Sequence, residues 1–547
     1  WIGQHEKADN IVIKWPSGKI QQIDNLPSGF TYIITEKNNL MRSTKRNKPM
    51  YKKDVSSLAN IYHREKYFDD FKRENLLPNK MSELGSGVSW GDIDGDGDDD
   101  VYIGGASGFA GRVFINKGNG EFANRFQQTF LNDAEYEDMG SIFIDPDRDG
   151  DLDLFVVSGG VECEPGDNIL QDRIYINDGF GNFSKGVKSL LPRITSSGSI
   201  VTAADIDKDG REELFIGGRV IPGSYPESPR SYLLVNSGAK FIDGTDKIAP
   251  EIKYAGMVTG ASFSDVDGDS WVDLLVTYEW GPIRFYHNEK GKLFDRTADV
   301  GLKDTYGWFN SISSGDIDND GDTDFVVGNT GYNTKYKASN RDPEILYYGD
   351  FEGNGKKHIV EAKFEKDVCF PRRGLGCSSS AMPMIKEKFP TYHDFAISSL
   401  EEIYTDALLR SADKYEINEL ASGILENLTT TDGEVMFEFR PLPRVIQSSP
   451  IFGTALCDVN GDGNKDLYAV QNFSGPQRET GYMYGGVSQL MLGDGKGNFE
   501  PVSPSISGLI VPGDAMSLTT HDLNMDGRVD FFVGLNNDKF ESFINQT

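Results

Sequence analysis

The chain contains 547 residues, and its 85 Asp and Glu outnumber 55 Lys and Arg to give a formal net charge of −30. This negative excess argues against nucleic acid and an anionic membrane surface as main partners, because both carry charge of the same sign. No apolar run reaches the roughly 18 residues that a membrane-spanning helix needs, so no transmembrane segment is predicted.

The first predicted element is a small β unit at the start of the chain. The segment Val12-Ile-Lys-Trp15 runs into Pro16-Ser17-Gly18, and Leu26-Pro27 follow. This stretch resembles the end of an ASPIC/UnbV domain, which carries a Trp-Pro-Ser-Gly motif on a small β unit. The resemblance implies a partial ASPIC/UnbV-like β unit over residues 1–36. Residues 37–80 are then predicted to form a linker and a latch for the fold that follows.

A nine-residue acidic pattern, D-x-D-x-D-G-x-x-D, begins at Asp92 and occurs seven times in all. Positions one, three and five are Asp92, Asp94, Asp96; Asp145, Asp147, Asp149; Asp205, Asp207, Asp209; Asp265, Asp267, Asp269; Asp316, Asp318, Asp320; Asp458, Asn460, Asp462; and Asp522, Asn524, Asp526. Position nine is Asp100, Asp153, Glu213, Asp273, Asp324, Asp466 and Asp530. Position seven, which is counted with each predicted site, is Asp98, Asp151, Arg211, Trp271, Asp322, Asn464 and Arg528.

The spacing of these copies predicts the fold. Their first residues are roughly 50 to 65 positions apart, with one longer interval before Asp458. Each copy precedes a short apolar strand, and most are followed by a further strand that ends in a Gly-rich hairpin. This period suits a four-stranded propeller blade, so we expect an all-β, seven-bladed β-propeller over residues 81–547. A strand from before Gly85 is expected to complete the last blade and close the ring.

The long interval before Asp458 needs a separate interpretation. An eighth acidic loop at Asp350 follows Ile345–Tyr348, which matches the third strand of other blades, so the loop is predicted to lie between strands three and four. Residues about 380–427 break the β pattern, and Ala396–Leu409 have helical periodicity. The sequence therefore predicts a helical insertion between blades five and six.

The acidic pattern predicts calcium. Side chains at positions one, three and five of a tight loop can point at one centre, and position nine closes the shell. Such a group of carboxylates repels itself unless protons or a cation neutralise it. Calcium, which takes six to eight oxygen ligands, fits better than magnesium. Up to seven structural Ca²⁺ ions are expected, and the copy at Asp265 is the weakest because Ser270 replaces the glycine of position six.

The repeats resemble the FG-GAP (VCBS-type) repeats of integrin α-chain propellers and of many bacterial surface proteins. Their order after an ASPIC/UnbV segment is similar to that of bacterial cartilage-acidic-protein-like surface proteins. This resemblance implies an extracytoplasmic protein, either secreted or attached to the cell surface or outer membrane as a lipoprotein. It further implies an accessory of a TonB-dependent, SusCD-like uptake complex, or an adhesin, with a protein partner at the cell surface.

The loops opposite the acidic loops are the predicted binding face, because exposed loops on a rigid scaffold commonly carry function. Their Trp, Tyr, Arg and Asn side chains suit a carbohydrate, a peptide or a protein edge, and a gap-filling position between blades is an equal alternative for each Trp. The predicted ligand-binding residues are Glu162, Arg219, Tyr225, Trp280, Trp308, Asn310, Asn329, Tyr332 and Asn333.

Catalysis is the alternative to a binding role. The six histidines are scattered, and neither G-x-S-x-G nor H-E-x-x-H occurs, so no catalytic residue is predicted. A calcium-dependent polysaccharide lyase or hydrolase on the same scaffold stays open, with Arg219, Lys335 or a Tyr acting beside calcium. The cysteines leave two alternatives open as well, since Cys369 and Cys377 either form a disulfide or stay as thiols.

Overall fold

The structure, a computed structural model, describes residues 6–15, 19–28, 32–36, 48–54, 57–118, 120–429 and 433–547. The chain divides into two compact units, Trp1–Met50 and Tyr51–Thr547. In the first unit, strands Lys7–Lys14 and Ile20–Pro27 pair as an antiparallel hairpin. The indole Nε1 of Trp15 donates a hydrogen bond to Gln21 Oε1 at 3.1 Å across this hairpin. Pro16 to Gly18 of the predicted motif, and residues 37–47 of the predicted linker, lie outside the described residues.

The described part of the second unit contains eight antiparallel sheets, seven with four strands and one with five. Seven of them carry the acidic loops and are called sheets 1 to 7 in chain order. Sheet 1 consists of Val88–Gly91, Asp100–Ile103, Arg112–Asn116 and Phe122–Arg125; sheet 2 of Asp138–Ile144, Asp153–Ser158, Arg173–Ile176 and Ser184–Lys185; sheet 3 of Ser197–Ala204, Glu213–Val220, Tyr232–Asn236 and Phe241–Asp243.

The remaining four of these sheets follow the same order with two exceptions, since sheets 5 and 7 each take strands from distant parts of the chain. Sheet 4 consists of Met257–Ser264, Asp273–Glu279, Gly281–Asn288 and Leu293–Asp295, with Tyr306–Gly307 added to its third strand; sheet 5 of Ser311–Gly315, Asp324–Gly328, Gly423–Asn427 and Phe437–Pro441; sheet 6 of Ile451–Cys457, Asp466–Gln471, Gln489–Gly493 and Phe499–Pro501; sheet 7 of Ala515–His521, Asp530–Leu535, Glu541–Asn545 and Tyr51–Lys53.

The apolar core lies between successive sheets. The second strands read as continuous apolar runs, and Leu154–Val157 of sheet 2 are fully buried. A strand with both faces covered needs apolar side chains on both, which explains why these runs do not alternate. Phe155 and Val157 of sheet 2 share one cluster with Leu214 and Ile216 of sheet 3.

The seven first strands surround a central cavity. They contact one another in chain order, from sheet 1 to sheet 7. Residues at all seven first strands line one cavity of about 370 Å³. The last sheet returns to the first, because Trp90 Nε1 donates a hydrogen bond to Thr519 Oγ1 at 2.9 Å. The sheets of this unit therefore form a closed series.

Sheet 7 is completed by a strand from the start of this unit. Tyr51–Lys53 pair antiparallel with Glu541–Asn545, with Tyr51 opposite Asn545. Tyr51 is 1% exposed and stacks on Phe531 with ring centroids 4.9 Å apart. The outer strand thus comes from before Gly85, as the sequence predicts.

The predicted positions of the insertion and of the Asp350 loop, both in the long interval before Asp458, were wrong. Sheet 5 is interrupted between its second and third strands, and its third strand is Gly423–Asn427. Ile345–Tyr348 belong to a separate sheet, formed by Glu344–Gly349, His358–Glu365, Val368–Pro371 and Asp413–Ile417. The Asp350 loop is therefore a hairpin of this inserted sheet. The second and third strands of sheet 5 pair although 94 residues, 329–422, separate them in the chain. A local sequence pattern could not reveal this pairing.

Five short helices accompany the inserted sheet, at Leu375–Ala381, Met384–Lys388, Tyr392–Ile397, Leu400–Tyr404 and Asp406–Ser411. The remaining helical turns are Ser57–Asn60, Asp70–Arg73, Gln128–Asn132, Asn168–Leu170, Lys188–Leu190, Thr245–Ile248, Pro250–Ile252, Ile446–Ser448 and Pro504–Ser507. Within the described part of the chain, no helix has the length and apolar character to cross a bilayer. All four cysteines are free thiols.

Candidate metal centres

The first aspartate of each acidic loop organises its turn. In all seven copies its carboxylate accepts a hydrogen bond from the backbone N–H of position six, at 2.7 to 3.2 Å. Position six has a positive φ throughout, for example 94° at Gly97. Glycine adopts this conformation without a Cβ clash, which explains its use there. Ser270 takes the same conformation with φ of 71°, so the loop at Asp265 closes like the others.

The fifth position is held in the same way. Its carboxylate accepts a hydrogen bond from the backbone N–H of position seven in all seven loops, at 2.7 to 3.2 Å. The side chains of position seven are not equivalent. Arg211 and Arg528 contact the carboxylates of Asp209 and Asp526, and Trp271 packs against the Lys208 ammonium at 4.1 Å. None of these three side chains contains an oxygen that could bind a cation.

The ninth position has a role that the sequence did not predict. These seven acids are at most 2% exposed, and each accepts a hydrogen bond from a backbone N–H at the third strand of its sheet, at 2.7 to 3.4 Å. In six loops it also accepts from the N–H of position two, whereas Pro146 has none to offer. Burial raises the pKa of Asp100 to about 7. The ninth acid thus anchors the loop to the sheet.

Acidic side chains of five loops converge on small centres, and Glu213 is the one ninth-position acid among them. In five loops, three ligand atoms lie within 4.8 Å of one another: those of Asp92, Asp94, Asp96; Asp145, Asp147, Asp149; Asp205, Asp207, Glu213; Asp316, Asp318, Asp320; and Asp267, Asp269, His287. Buried carboxylate oxygens of Asp94, Asp145, Asp265 and Asp316 accept no hydrogen bond from the described residues. Burial and the neighbouring carboxylates raise the pKa of Asp94. Negative oxygens that lack donors and repel one another fit a hard divalent cation.

The loops at Asp458 and Asp522 differ in one ligand. Asn460 and Asn524 replace the aspartate of position three, and their amides donate to Asp462 and Asp526 at 3.0 and 3.2 Å. Each amide still offers a carbonyl oxygen, which calcium accepts as a ligand.

The fourth loop includes a histidine that the sequence did not indicate. His287 Nδ1 lies 3.0 Å from Asp273 Oδ1 and 3.7 Å from Asp267 Oδ2. It comes from the third strand, 14 residues after Asp273, at a position that faces this loop. The hydrogen bond with Asp273 raises the pKa of His287.

Asparagines at the third strands connect neighbouring loops. Asn177 Nδ2 donates to the carbonyl of Ile93, in the loop of the preceding sheet, at 2.8 Å. Four more asparagines repeat this bond between successive sheets at 2.9 to 3.0 Å, namely Asn236, Asn288, Asn427 and Asn545. Sheet 6 has Gly493 there and lacks the bond. A recurring Asn at or just after the end of the third strand is the sequence signal that would have found this network.

The predicted binding face is largely covered. Tyr225, Trp280, Trp308, Arg219 and Asn329 are 7% exposed or less. Arg219 forms an ion pair with Glu279, and the Tyr225 hydroxyl donates to the same carboxylate at 2.7 Å. The expectation of exposed ligand-binding side chains was therefore wrong for these five.

The covering residues come from the insertion. Tyr336 packs against Trp280 and Trp308 with ring centroids 6.3 and 5.4 Å away, and the two Trp rings are 5.5 Å apart. The Tyr336 hydroxyl donates to Glu361 of the inserted sheet at 2.6 Å. These aromatic side chains belong to one apolar core with the insertion.

The other four predicted binding residues are more accessible. Glu162 and Asn310 are half-buried, and Glu162 accepts a hydrogen bond from the Val161 N–H at 2.8 Å. Tyr332 is 44% exposed, and Asn333 is exposed while its amide donates to the Ser448 carbonyl at 3.1 Å.

Three comparisons relate the chain to known proteins. The FG-GAP-like repeat family matches residues 92–156, 145–216, 265–327 and 458–533, which include all seven acidic loops but not the Asp350 hairpin. The ASPIC and UnbV family matches residues 2–40. Human cartilage acidic protein 1 is 24% identical over 276 residues, a match that spans 45% of this chain and 40% of that protein.

Solved structures resemble the chain at low identity. YCF48 bound to D1 peptide is 11% identical with a TM-score of 0.38, covering 89% of this chain and 98% of that chain. The V. cholerae biofilm matrix protein Bap1 is 12% identical with a TM-score of 0.35, covering 91% and 92%. BBS1N in complex with ARL6DN is 9% identical with a TM-score of 0.40, covering 86% and 96%. The chain thus contains FG-GAP-like repeats within residues 92–216, 265–327 and 458–533, and an ASPIC and UnbV match at residues 2–40.

Proposed function

We propose that this chain is a calcium-stabilised binding and assembly module that works outside the cytoplasm, built as a seven-bladed β-propeller. The calcium assignment rests on one observation. Carboxylates converge inside the acidic loops, and several of their buried oxygens accept no hydrogen bond. Seven equivalent loops in seven successive sheets give up to seven Ca²⁺ ions, ligated mainly from positions one, three and five. Each ion would neutralise a loop that otherwise repels itself.

The ions are proposed to be structural. The ninth acid ties each loop to its own sheet, and in five loops an asparagine ties it to the following sheet, so an ion in such a loop supports the joint between sheets. Nothing in this arrangement activates a water molecule or a substrate, which favours a scaffold over a lyase or hydrolase. Extracellular calcium modules commonly bind at about 10⁻⁴ to 10⁻³ M, a concentration range that the cytosol does not offer.

The biological role proposed is that of a surface-exposed accessory subunit of an outer-membrane, TonB-dependent SusCD-like uptake complex, or an adhesin, with a protein, glycan or peptide as ligand. The FG-GAP-like repeats and the order of repeats and ASPIC and UnbV segment support this role. Gentle purification from membranes, followed by mass spectrometry, is expected to recover a transporter component together with this chain. A monomer that cleaves a polysaccharide would contradict the role.

Calcium removal tests the structural part of the proposal. Chelation with EGTA should lower the melting temperature by ten degrees or more, and added CaCl₂ should restore it, because the ion binds only the folded state. The variant Asp94→Asn, combined with Asp96→Asn, should reduce the calcium-dependent shift by removing one loop's charge. Asp9→Asn, on an exposed carboxylate of the first unit, is the matched control. An unchanged melting curve in EGTA would remove the basis for structural calcium.

A further inference from the structure

A second pocket lies at the outer side of sheet 1, away from the acidic loops. It is bounded by the segment from Asn60 to Arg64 and by the connection from Gly104 to Arg112 that joins the second and third strands. The cavity has a volume of about 480 Å³, within the range of small-molecule sites. None of its lining residues belongs to the predicted metal or ligand sites.

Cationic side chains surround this pocket in a strongly acidic protein. Arg64 and Arg112 both line it, and Arg64 lies close enough to lower the pKa of Arg112, after the larger effect of burial. Lys539 adds a third charge, with its ammonium 5.2 Å from the ring centre of Tyr62. Among the described residues, none of these three forms an ion pair with a carboxylate. Two neighbouring guanidiniums without a counter-charge form a ready site for an anion.

Two acidic residues are near these cations, and neither cancels them. Glu65 has a buried side chain, only 3% exposed, and burial together with the neighbouring Glu83 and Glu162 raises its pKa, which favours the uncharged carboxyl. Asp538 is exposed to solvent and accepts the backbone N–H of Lys539 at 2.7 Å. The positive charge of the pocket therefore remains available.

His63 supplies a polar group inside the pocket. It is 4% exposed, with Nδ1 3.7 Å from Glu65 Oε1 and the Asn536 side chain nearby, and neither ring nitrogen is within hydrogen-bond geometry of a described residue. Buried polar groups without partners are rare in folded proteins and need an explanation. A ligand atom in the pocket would satisfy the imidazole.

Two aromatic side chains flank the opening. Tyr62 is 43% exposed and Phe109 is 40% exposed, and both line the pocket. Aromatic faces beside a charged, concave site suit a ring that has apolar C–H faces and one anionic substituent. We infer that this pocket binds a uronate residue of an acidic polysaccharide, with the carboxylate held by Arg64 and Arg112. The inference gives a ligand class to the proposed binding role and rests on it.

Isothermal titration of the calcium-loaded full chain with trigalacturonate tests this assignment. Binding is expected, with no heat from the neutral trisaccharide maltotriose, and the affinity should fall as NaCl is raised. Arg64→Gln and Arg112→Gln should each weaken binding at least tenfold, while Arg112→Lys should retain part of it. Arg341→Gln removes the same charge at an exposed site and should change nothing.

Each outcome supports or overturns the inference. Loss of affinity counts only in a variant whose melting curve matches that of the parent, and Arg64→Gln suits this because Arg64 is exposed. No measurable binding of trigalacturonate, or equal binding by the Arg64 and Arg112 variants, overturns the site. Equally tight binding of triglutamate overturns the sugar and points to an acidic peptide. A calcium-dependent melting temperature without sugar binding would contradict this pocket and leave the scaffold proposal in place.

Discussion

Ser270 stands where the other six acidic loops have glycine, and its φ of 71° is in the left-handed region. Replacement by Gly should stabilise the folded state by about 0.5–1 kcal/mol, because a side chain is strained there. The reverse change, Gly150→Ser, should cost about 1 kcal/mol, since an added Cβ at Gly150 meets nothing within 4 Å and only the backbone strain remains. Urea unfolding in saturating calcium measures both. Equal stability of Gly150→Ser and the parent would contradict this account.

Asp172 gives the chain a pH dependence that is independent of the metal loops. Burial raises its pKa to about 8, and its carboxylate accepts the Ser158 N–H at 2.8 Å. The folded state therefore holds a proton that the unfolded chain releases near pH 4, so the free energy of unfolding falls as pH rises from about 4 to 8.

Asp172→Asn should remove this contribution, since the amide does not titrate and still accepts the same hydrogen bond. Relative to the parent, the variant should gain on the order of 1–3 kcal/mol between pH 5 and pH 8. Urea denaturation at four pH values in constant calcium checks this. Parallel stability curves for the two proteins would show that Asp172 is already ionised in the folded state.

At the scale of elements, the asparagine hydrogen bonds join each sheet that has one to the acidic loop of the preceding sheet. Asn177 donates to Ile93 and Leu152 carbonyls at 2.8 and 3.1 Å and accepts the Gly181 N–H at 3.0 Å. Asn177→Ala should lower the free energy of unfolding by about 2–4 kcal/mol, because several buried backbone groups lose their partner. The exposed Asn124→Ala is the control and should change stability by less than about 0.5 kcal/mol. If the two variants lower the free energy of unfolding equally, the hydrogen bonds of Asn177 do not stabilise the contact between sheets.

The elements that the sequence predicts well are those with local signals. The acidic loop and the apolar strand after it are adjacent in the chain, so the pattern carries both. The helix predicted over Ala396–Leu409 is instead broken into shorter pieces. Ser399 caps a new helix with Glu402 in a capping box, and Thr405 has φ of 64°. Helical periodicity continues through such breaks, which is why it did not reveal them.

The covered face could not be predicted because it depends on contacts between distant segments. Trp280 and Trp308 read as loop residues with exposed aromatic rings, and only the position of Tyr336 in the fold makes them core. The same limit applies to the pocket at Arg64 and Arg112, whose two sides are about 50 residues apart in sequence.

At the scale of the whole molecule, one short strand completes the series of sheets. Tyr51 is buried, stacks on Phe531, and its hydroxyl donates to the Val529 carbonyl at 3.0 Å. Tyr51→Ala should cost about 3 kcal/mol by leaving a cavity beside sheet 7. Tyr67→Ala, at an 83% exposed position, is the control. Thermal melts and proteolysis within the last sheet report the result, and an unchanged melt of Tyr51→Ala would mean that the latch contributes little.

The pairing of Tyr51 with Asn545 also determines when sheet 7 can be completed during folding. The two residues are 494 positions apart, so translation delivers one partner long before the other. Sheets 1 to 4 can assemble while the polypeptide leaves the ribosome, whereas the Tyr51 strand has to wait, unpaired, until residues 541–545 have been synthesised. A nascent chain halted before Glu541 would therefore leave sheet 7 with two of its four strands, and Asp530–Leu535 would have an unpaired edge.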